Sequence, residues 1–190
     1  MVAPSRGHSP AEVRPRPVPV PSGPAAAEVF AIGDSVMLGA QPCLERLGYA
    51  VDAQGSRSVR AGLVALAEAE PRLPSWVVVH LGTNGGVTWR DIDAILSIVG
   101  PHRQVVLITV QLPDDPSRFT FENLSNLALH SAALRHRNVR IADWHALSDR
   151  YPGMVWSEGI HLTPLGCWAY ADLVKEALTA PAKAESPLLH

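Results

Sequence analysis

The stretch VFAIGDS, residues 29–35, decides the fold because an apolar run passes at once into a polar turn led by glycine. Glycine at position 33 permits a sharp exit from a β-strand, and the turn that follows would carry Ser35 over the end of that strand. Four more short apolar runs predict further strands. They are Tyr49 to Ala53, Trp76 to Leu81, Val105 to Thr109 and Val139 to Ala142.

The spacing and composition of these runs indicate how the strands are arranged. Each run is separated from the next by enough chain for a crossover helix, which predicts a parallel sheet. Their apolar residues are continuous rather than alternating, as in strands that helices cover on both faces. The sequence therefore predicts an α/β fold, a three-layer α/β/α sandwich around five strands.

The last predicted helix has the clearest boundaries. Thr163 can cap its first turn, and Pro164 suits the first helical position because a missing N–H costs nothing there. An apolar stripe then predicts the buried face. It consists of Cys167, Ala171, Val174 and Leu178.

Proline marks the limits of the folded region. Seven of the 17 prolines fall within the first 24 residues, and their fixed φ angles and missing N–H groups favour extended chain over packed structure. We therefore predict a proline-rich, disordered linker at residues 1–27, one catalytic domain at residues 28–180 and a flexible tail at residues 181–190.

The composition excludes several classes of protein. Hydrophobic residues make up 47% of the 190 residues and charged residues 18%, as in an ordinary globular protein. The net charge of −2 gives no basic surface for nucleic acid. No apolar run is long enough to span a bilayer, and the first 28 residues lack the apolar stretch of a signal peptide. No cofactor or metal is implied.

Three residues can be combined into a nucleophilic site. Open parallel sheets place their sites at the carboxyl ends of the strands, where Ser35 follows the first strand. A serine hydroxyl needs a base to take its proton, and His161, just before the last helix, can serve. Glu158 lies three residues upstream and can hold the ring, as the acid of a triad does. Each motif alone also suits an ordinary turn or cap.

Two more strand-end loops carry glycine. The loop Gly55-Ser56-Arg57 follows the second strand, and Asn84 lies in the loop GTNGG after the third. The Asn84 side-chain amide and the backbone N–H groups of Ser35 and Gly55 could donate hydrogen bonds to an oxyanion. Neither loop has the spacing of a P-loop or a dinucleotide fingerprint.

Taken together, Ser35, Gly55, Asn84 and His161 in this order resemble the SGNH hydrolase family. The segments IGDSVMLGAQP, VDAQGSRS, LGTNGG, ADWHALS and GIHLTPLG look like the extracytoplasmic domain of peptidoglycan O-acetyltransferases and related bacterial acyltransferases. The resemblance covers residues 29–178. It implies a flavodoxin-like parallel sheet, an acyl-serine intermediate, His161 as base, and an oxyanion hole formed by Ser35, Gly55 and Asn84.

The acid position departs from the family pattern, which usually has aspartate where this chain has Glu158. Either the longer glutamate side chain bends to reach His161, which we favour, or the enzyme works as a Ser–His dyad. Asp143 and His145 form another acid–imidazole pair at a strand end. They lack a capped helix behind them and are the weaker alternative.

Three functions remain open at this stage. The chain could transfer an acyl group, most simply acetyl, from an ester donor to cell-envelope carbohydrate, it could hydrolyse small esters or lipids, or it could bind glycans without catalysis. Trp156 and Trp89 could line a sugar site, and Arg57 could steer an anionic group, although each also suits a structural role. The resemblance implies an extracytoplasmic domain that can be tethered to a membrane acyltransferase domain or partner, and we expect a monomer. The missing signal peptide leaves the cytoplasm as the alternative.

The two cysteines allow two interpretations. Their number alone favours two buried thiols. Cys43 lies eight residues after Ser35 and Cys167 six after His161, so both lie at comparable depth below the site. Pro42 is expected to start a new helix there and bend the path. Because the resemblance places the domain outside the cytoplasm, we predict a Cys43–Cys167 disulfide.

Overall fold

The computed structural model describes residues 23–115 and 117–181. Its sheet contains five parallel strands in the order β2-β1-β3-β4-β5. The strands are β1 (Val29–Gly33), β2 (Ala50–Ala53), β3 (Trp76–His80), β4 (Gln104–Ile108) and β5 (Val139–Ala142). This order is that of flavodoxin-like sheets, and the predicted fold and strands are confirmed.

Six α-helices cover the two faces of the sheet. They are α1 (Ser35–Arg46), α2 (Val59–Ala69), α3 (Trp89–Val99), α4 (Glu122–Arg135), α5 (Trp144–Arg150) and α6 (Pro164–Thr179). Short 3-10 turns lie at Ala26–Glu28, Glu70–Arg72 and Pro152–Met154. The first turn begins two residues before the predicted domain. None of these described helices has the length and apolar character needed to cross a membrane.

Two apolar cores lie on opposite faces of the sheet. One contains α1, α5 and α6, with Leu44, Tyr170 and Val174 among its buried side chains. The other contains α2, α3 and α4, and includes Leu66 and Ile92. Alternate residues of β1, β3 and β4 enter one core or the other, so these strands are apolar on both faces. This explains why their sequences are continuous hydrophobic runs.

The register aligns the strand ends that carry the predicted site. Gly33 of β1 pairs with Ala53 of β2 on one side and with His80 of β3 on the other. The three following loops therefore leave the sheet at one level. The order of the chain reverses between β1 and β3, and such switch points form crevices at the carboxyl ends of open parallel sheets.

Helix α1 runs through Pro42 without a break, so the prediction of a new helix at this residue is wrong. Proline lacks the N–H that would bond to the carbonyl of Leu38 one turn earlier. Leu38 and Pro42 both lie on the exposed face of α1, where water can satisfy that carbonyl. The helix therefore tolerates the proline.

Helix α6 begins as predicted. The Thr163 hydroxyl accepts a hydrogen bond from the Gly166 N–H at 3.1 Å, and Pro164 is the first helical residue. The predicted stripe is buried. Cys167 forms a disulfide with Cys43 of α1, with Cα atoms 5.9 Å apart, which confirms the predicted bridge.

The two ends of the described chain meet. A methyl group placed on Gly23 would lie 2.5 Å from Cγ2 of Thr179, the last residue of α6. The predicted linker at residues 1–27 and tail at residues 181–190 fall almost wholly outside the described residues, so both remain predictions.

Candidate active site

Ser35 is the first residue of α1 and follows β1 after a single residue, Asp34. The Asp34 carboxylate is fully buried and accepts the Val36 N–H at 3.0 Å, which caps the helix. The helix returns so closely over the strand that a methyl group on Gly33 would overlap the Met37 side chain. Glycine therefore makes possible the sharp turn that presents Ser35 at the strand end.

His161 and Glu158 lie on a tight loop before α6. The loop is held by an isolated bridge between Val155 and Leu162 and by a hydrogen bond from the Trp156 N–H to the His161 carbonyl at 2.8 Å. Gly159 adopts the left-handed conformation, with φ of 75°, that the turn requires. The backbone thus folds the acid and the imidazole toward each other.

The side chains of Ser35, His161 and Glu158 form a continuous line of polar contacts. Ser35 Oγ lies 3.2 Å from His161 Nε2, and His161 Nδ1 lies 2.9 Å from Glu158 Oε1. An ionised carboxylate can only accept, so Nδ1 donates to Glu158 and Nε2 is free to accept the Ser35 proton. The glutamate is long enough to reach the ring.

Glu158 is held in its ionised form by the residue it orients. Partial desolvation works against the charge, but hydrogen bonds from the His161 backbone and ring, with the charge of that ring, lower the pKa of Glu158 below its usual value. The same oxygen accepts the His161 N–H at 2.7 Å. The carboxylate is therefore fixed both to the backbone and to the ring of the residue it serves.

Asn84 and Gly55 lie on neighbouring loops that are joined to each other. The Asn84 amide donates to the Arg57 carbonyl at 3.3 Å, which uses one of its two N–H bonds and leaves the other. Ser56, with φ of 57°, turns the loop left-handed after Gly55. A methyl group on Gly55 would meet no protein atom within 4 Å, so this glycine faces open space.

Asp34 joins the serine turn to the asparagine loop, a role that sequence reasoning missed. Its second carboxylate oxygen accepts the Thr83 N–H at 3.2 Å, next to Asn84. A helix cap after a strand could be expected from the sequence. The bond to a loop 49 positions away becomes visible only when β1 and β3 are paired.

His80 and Tyr170 form a buried pair behind the site that was also missed. His80 Nδ1 lies 2.8 Å from the Tyr170 hydroxyl, and neither residue is exposed. Burial lowers the pKa of His80, although the Asp34 charge opposes this change. Burial, aided by the same charge, raises the pKa of Tyr170 well above its usual value. Both rings are therefore held neutral beneath the serine turn.

Arg57 has a structural role rather than the predicted contact with substrate. Its side chain is only 6% exposed. The guanidinium donates to the carbonyls of Gly33 and Asp52 at 3.0 and 2.7 Å and to the Asp52 carboxylate at 2.6 Å. These bonds direct the charge into the ends of β1 and β2, and they hold the loop that carries Gly55.

The two tryptophans predicted to contact sugar are both accessible. Trp156 is 53% exposed and belongs to the loop of His161. Trp89, 40% exposed, begins α3, and the Arg135 guanidinium lies 4.9 Å from its ring centroid. Their contact with substrate remains a prediction.

The alternative acid–imidazole pair is not joined in the structure. The Asp143 carboxylate caps α5 by accepting the Ala146 N–H at 3.1 Å, so the expectation that no capped helix follows this pair is wrong. The same carboxylate also accepts the Thr109 hydroxyl at 2.9 Å. The His145 ring lies 3.0 Å from Glu122 instead. Within residues 23–115 and 117–181, no three His, Cys, Asp or Glu side chains are grouped so that they could hold a metal ion.

The sequence is similar to peptidoglycan O-acetyltransferases. It is 29% identical over 157 residues, 80% of this chain, to the Bacillus subtilis protein named "Putative peptidoglycan O-acetyltransferase YrhL", covering 24% of that protein. It is 31% identical over 106 residues, 56% of this chain, to O-acetyltransferase OatA of Staphylococcus aureus, covering 17% of that protein. The chain thus spans a quarter or less of these curated relatives. No family model matches it.

Solved structures show the same fold. The C-terminal catalytic domain of Streptococcus pneumoniae peptidoglycan O-acetyltransferase A, solved with a methylsulfonyl adduct, matches with a TM-score of 0.70 and 24% identity over 82% of this chain and 94% of that one. A member of the lipolytic G-D-S-L family from Veillonella parvula matches with a TM-score of 0.64 and 15% identity over 80% and 98%. The chain therefore has the GDSL/SGNH hydrolase fold.

Proposed function

We propose that this chain, with its GDSL/SGNH fold and its sequence similarity to peptidoglycan O-acetyltransferases, is a serine enzyme that transfers acetyl groups to or from cell-envelope carbohydrate. The observation that carries this proposal is the continuous contact from Ser35 through His161 to Glu158. This arrangement matches what nucleophilic acyl transfer requires: a nucleophile, a base within reach and an acid that orients the base.

In the first half of the reaction, His161 Nε2 takes the Ser35 proton as Oγ attacks the carbonyl carbon of the ester donor. The charge that develops on the carbonyl oxygen would be stabilised by the backbone N–H groups of Ser35 and Gly55 and by the free N–H of Asn84. The imidazolium, paired with Glu158, then protonates the leaving alcohol. The product of this half is an acetyl ester on Ser35.

In the second half, a hydroxyl group replaces the alcohol that has left. His161 Nε2 removes its proton as its oxygen attacks the acetyl carbon, and the imidazolium returns a proton to Ser35 Oγ when the acyl bond breaks. A sugar hydroxyl gives transfer and water gives hydrolysis. Trp156 supports a sugar acceptor, because its backbone bonds to that of His161 and its exposed indole can pack against the apolar face of a sugar ring.

We place the domain outside the cytoplasm, as a monomer that acts on an ester donor and a carbohydrate acceptor and can be joined to a membrane acyltransferase domain. The disulfide supports this location, because such bonds persist in oxidising compartments. The length of the relatives supports the attachment, since similar segments occur there within much longer proteins.

The test measures release of p-nitrophenol from p-nitrophenyl acetate, with and without a chitooligosaccharide acceptor. We expect a burst of about one equivalent per enzyme, followed by slow turnover that the oligosaccharide accelerates as it becomes acetylated. If the oligosaccharide leaves the turnover rate unchanged and acetate is the product, the chain is an esterase, the second function that the GDSL fold supports. Absence of a burst and of turnover would favour a glycan-binding module.

A further inference from the structure

We propose that the Cys43–Cys167 disulfide holds the nucleophile and the base at reacting distance, in addition to stabilising the fold. This inference rests on the proposed function and extends it by assigning a positioning role to a bond that does not touch the reacting atoms. It follows from which elements the bond joins: α1 begins with Ser35, and α6 begins three residues after His161.

The disulfide lies close to the site along both helices. Cys167 is in the first turn of α6, directly behind the loop of His161. Cys43 lies eight residues into α1, about 12 Å from Ser35 at 1.5 Å per residue. A rotation or slide of either helix would therefore alter the 3.2 Å contact between Ser35 and His161 almost directly.

Hydrogen bonds tie the loop that carries His161 to the start of α6. The Thr163 hydroxyl donates to the Gly153 carbonyl at 2.8 Å, and the Thr163 N–H donates to the Met154 carbonyl at 3.0 Å. A methyl group added to Gly39 of α1 would lie 3.6 Å from the Leu162 side chain, so the loop also packs against α1. Leu44 of α1 and Val174 of α6 lie in the same apolar core, and the disulfide joins the two helices covalently.

The bond lies next to a surface pocket that a small reductant can enter, although its cysteines are only 5% and 8% exposed. A surface pocket of about 240 Å³ lies against it in the groove between the two helices. It is lined by Pro42, Cys43, Arg46, Pro164, Cys167 and Trp168. The folded protein can therefore be compared in its oxidised and reduced forms.

The main experiment compares three forms of the protein well below their melting temperatures. They are the oxidised parent, the parent reduced with dithiothreitol, and the Cys43→Ala/Cys167→Ala variant. Dithiothreitol gives two electrons to the disulfide and becomes a cyclic disulfide, leaving two cysteine thiols. We expect the rate of Ser35 acetylation by p-nitrophenyl acetate to fall at least about tenfold in the last two forms, with little change in KM, because small misplacements of reacting groups are costly.

A matched control separates positioning from stability. Val174→Ala also removes buried contacts from α6 in the same core, but leaves the disulfide intact. We expect it to lower the melting temperature and to keep acetylation within about twofold of the parent. Equal losses of rate in Val174→Ala and in the reduced protein, or an unchanged rate after reduction, would overturn the positioning role.

A second measurement reports the Ser35–His161 contact without any reaction. The NMR signals of the His161 ring are assigned by comparison with His161→Gln. They are then followed against pH in the parent and in Ser35→Ala. We expect Ser35→Ala to change this titration in the oxidised protein and to leave it unaltered in the reduced one. If the oxidised parent is inactive but this pattern holds, the proposed function is wrong and the positioning role of the disulfide is supported. If Ser35→Ala changes the His161 titration equally in the oxidised and reduced proteins, the positioning role of the disulfide is refuted.

Discussion

At the scale of single residues, the proposed chemistry depends on side chains that β1 and the loop before α6 bring together. Ser35 and His161 are 126 positions apart, yet their polar atoms are 3.2 Å apart. Glu158 is joined to His161 through both the ring and the backbone. Substitutions at these positions should therefore affect the rate far more than the fold.

Ser35→Ala is expected to abolish turnover and leave the fold intact, because it removes only a hydroxyl from a partly exposed turn. In the serine protease subtilisin, removal of the triad serine costs about 10⁶ in kcat. Acetyl-ester turnover and circular dichroism measure the two effects. Ser97→Ala, on the exposed face of α3, is the control and should retain full activity. More than about 10% residual activity in Ser35→Ala would exclude this nucleophile.

Glu158→Ala should lower kcat by roughly 10²- to 10⁴-fold, clearly less than His161→Ala, because an orienting acid acts only through the base. Glu158→Asp should be tolerated, since the shorter acid is the usual residue in the resembled family. Steady-state kinetics of all three variants test the order. A change within about twofold in Glu158→Ala would indicate a Ser–His dyad.

At the scale of elements, α6 must start in close contact with the preceding loop, and this makes Gly166 sensitive. A methyl group there would overlap the Met154 carbonyl oxygen, a backbone atom that can move only with its loop. We expect Gly166→Ala to lower the free energy of unfolding by about 1–3 kcal/mol and to disturb the loop that carries His161. Urea titration and ester turnover measure these effects.

Gly153→Ala is the matched control, because an added methyl group at Gly153 meets nothing within 4 Å. It lies on the same loop as Met154, so it tests whether any added bulk disturbs the site. Its unfolding free energy should stay within about 0.5 kcal/mol of the parent. Equal unfolding free energies of Gly166→Ala and Gly153→Ala would show that the Met154 loop moves away from α6 at no cost in stability.

Elements were predictable from sequence where one local signal dominates. Strands β1, β3 and β4 appeared as apolar runs because both of their faces are buried, and α6 was bounded by the Thr163 cap. Pro42 was misjudged because its effect depends on exposure, which a single residue does not reveal. Arg57 and Asp34 were misjudged or missed because their partners lie on other strands and loops, and pairing of β1 with its neighbours creates those contacts.

At the scale of the whole molecule, a buried histidine couples global stability to pH. The pKa of His80 is lowered in the folded protein, so the unfolded chain binds a proton more readily. Stability is therefore full above the unfolded pKa of about 6.5 and falls as pH drops toward the lower folded value. For one proton, the slope is at most about 1.4 kcal/mol per pH unit.

His80→Gln should flatten this dependence between about pH 7 and pH 5, although it lowers the stability at pH 7. The free energy of unfolding in urea, measured at several pH values, gives the slope. Val106→Ala, a buried change in the core that contains Tyr170, removes no titratable group and should keep the slope of the parent. An equal slope in His80→Gln and the parent would place the linked proton elsewhere.

Because Gly23 lies against Thr179, a tether at either end of the described chain would be attached at the same place on the domain. Ser35 lies at the opposite end of β1 from Val29, and Thr179 lies about 24 Å along α6 from its first turn beside the His161 loop. Such a tether would therefore hold the domain at the end opposite Ser35 and the His161 loop. It would leave the edge of the sheet that carries Ser35 and His161 facing away from the point of attachment.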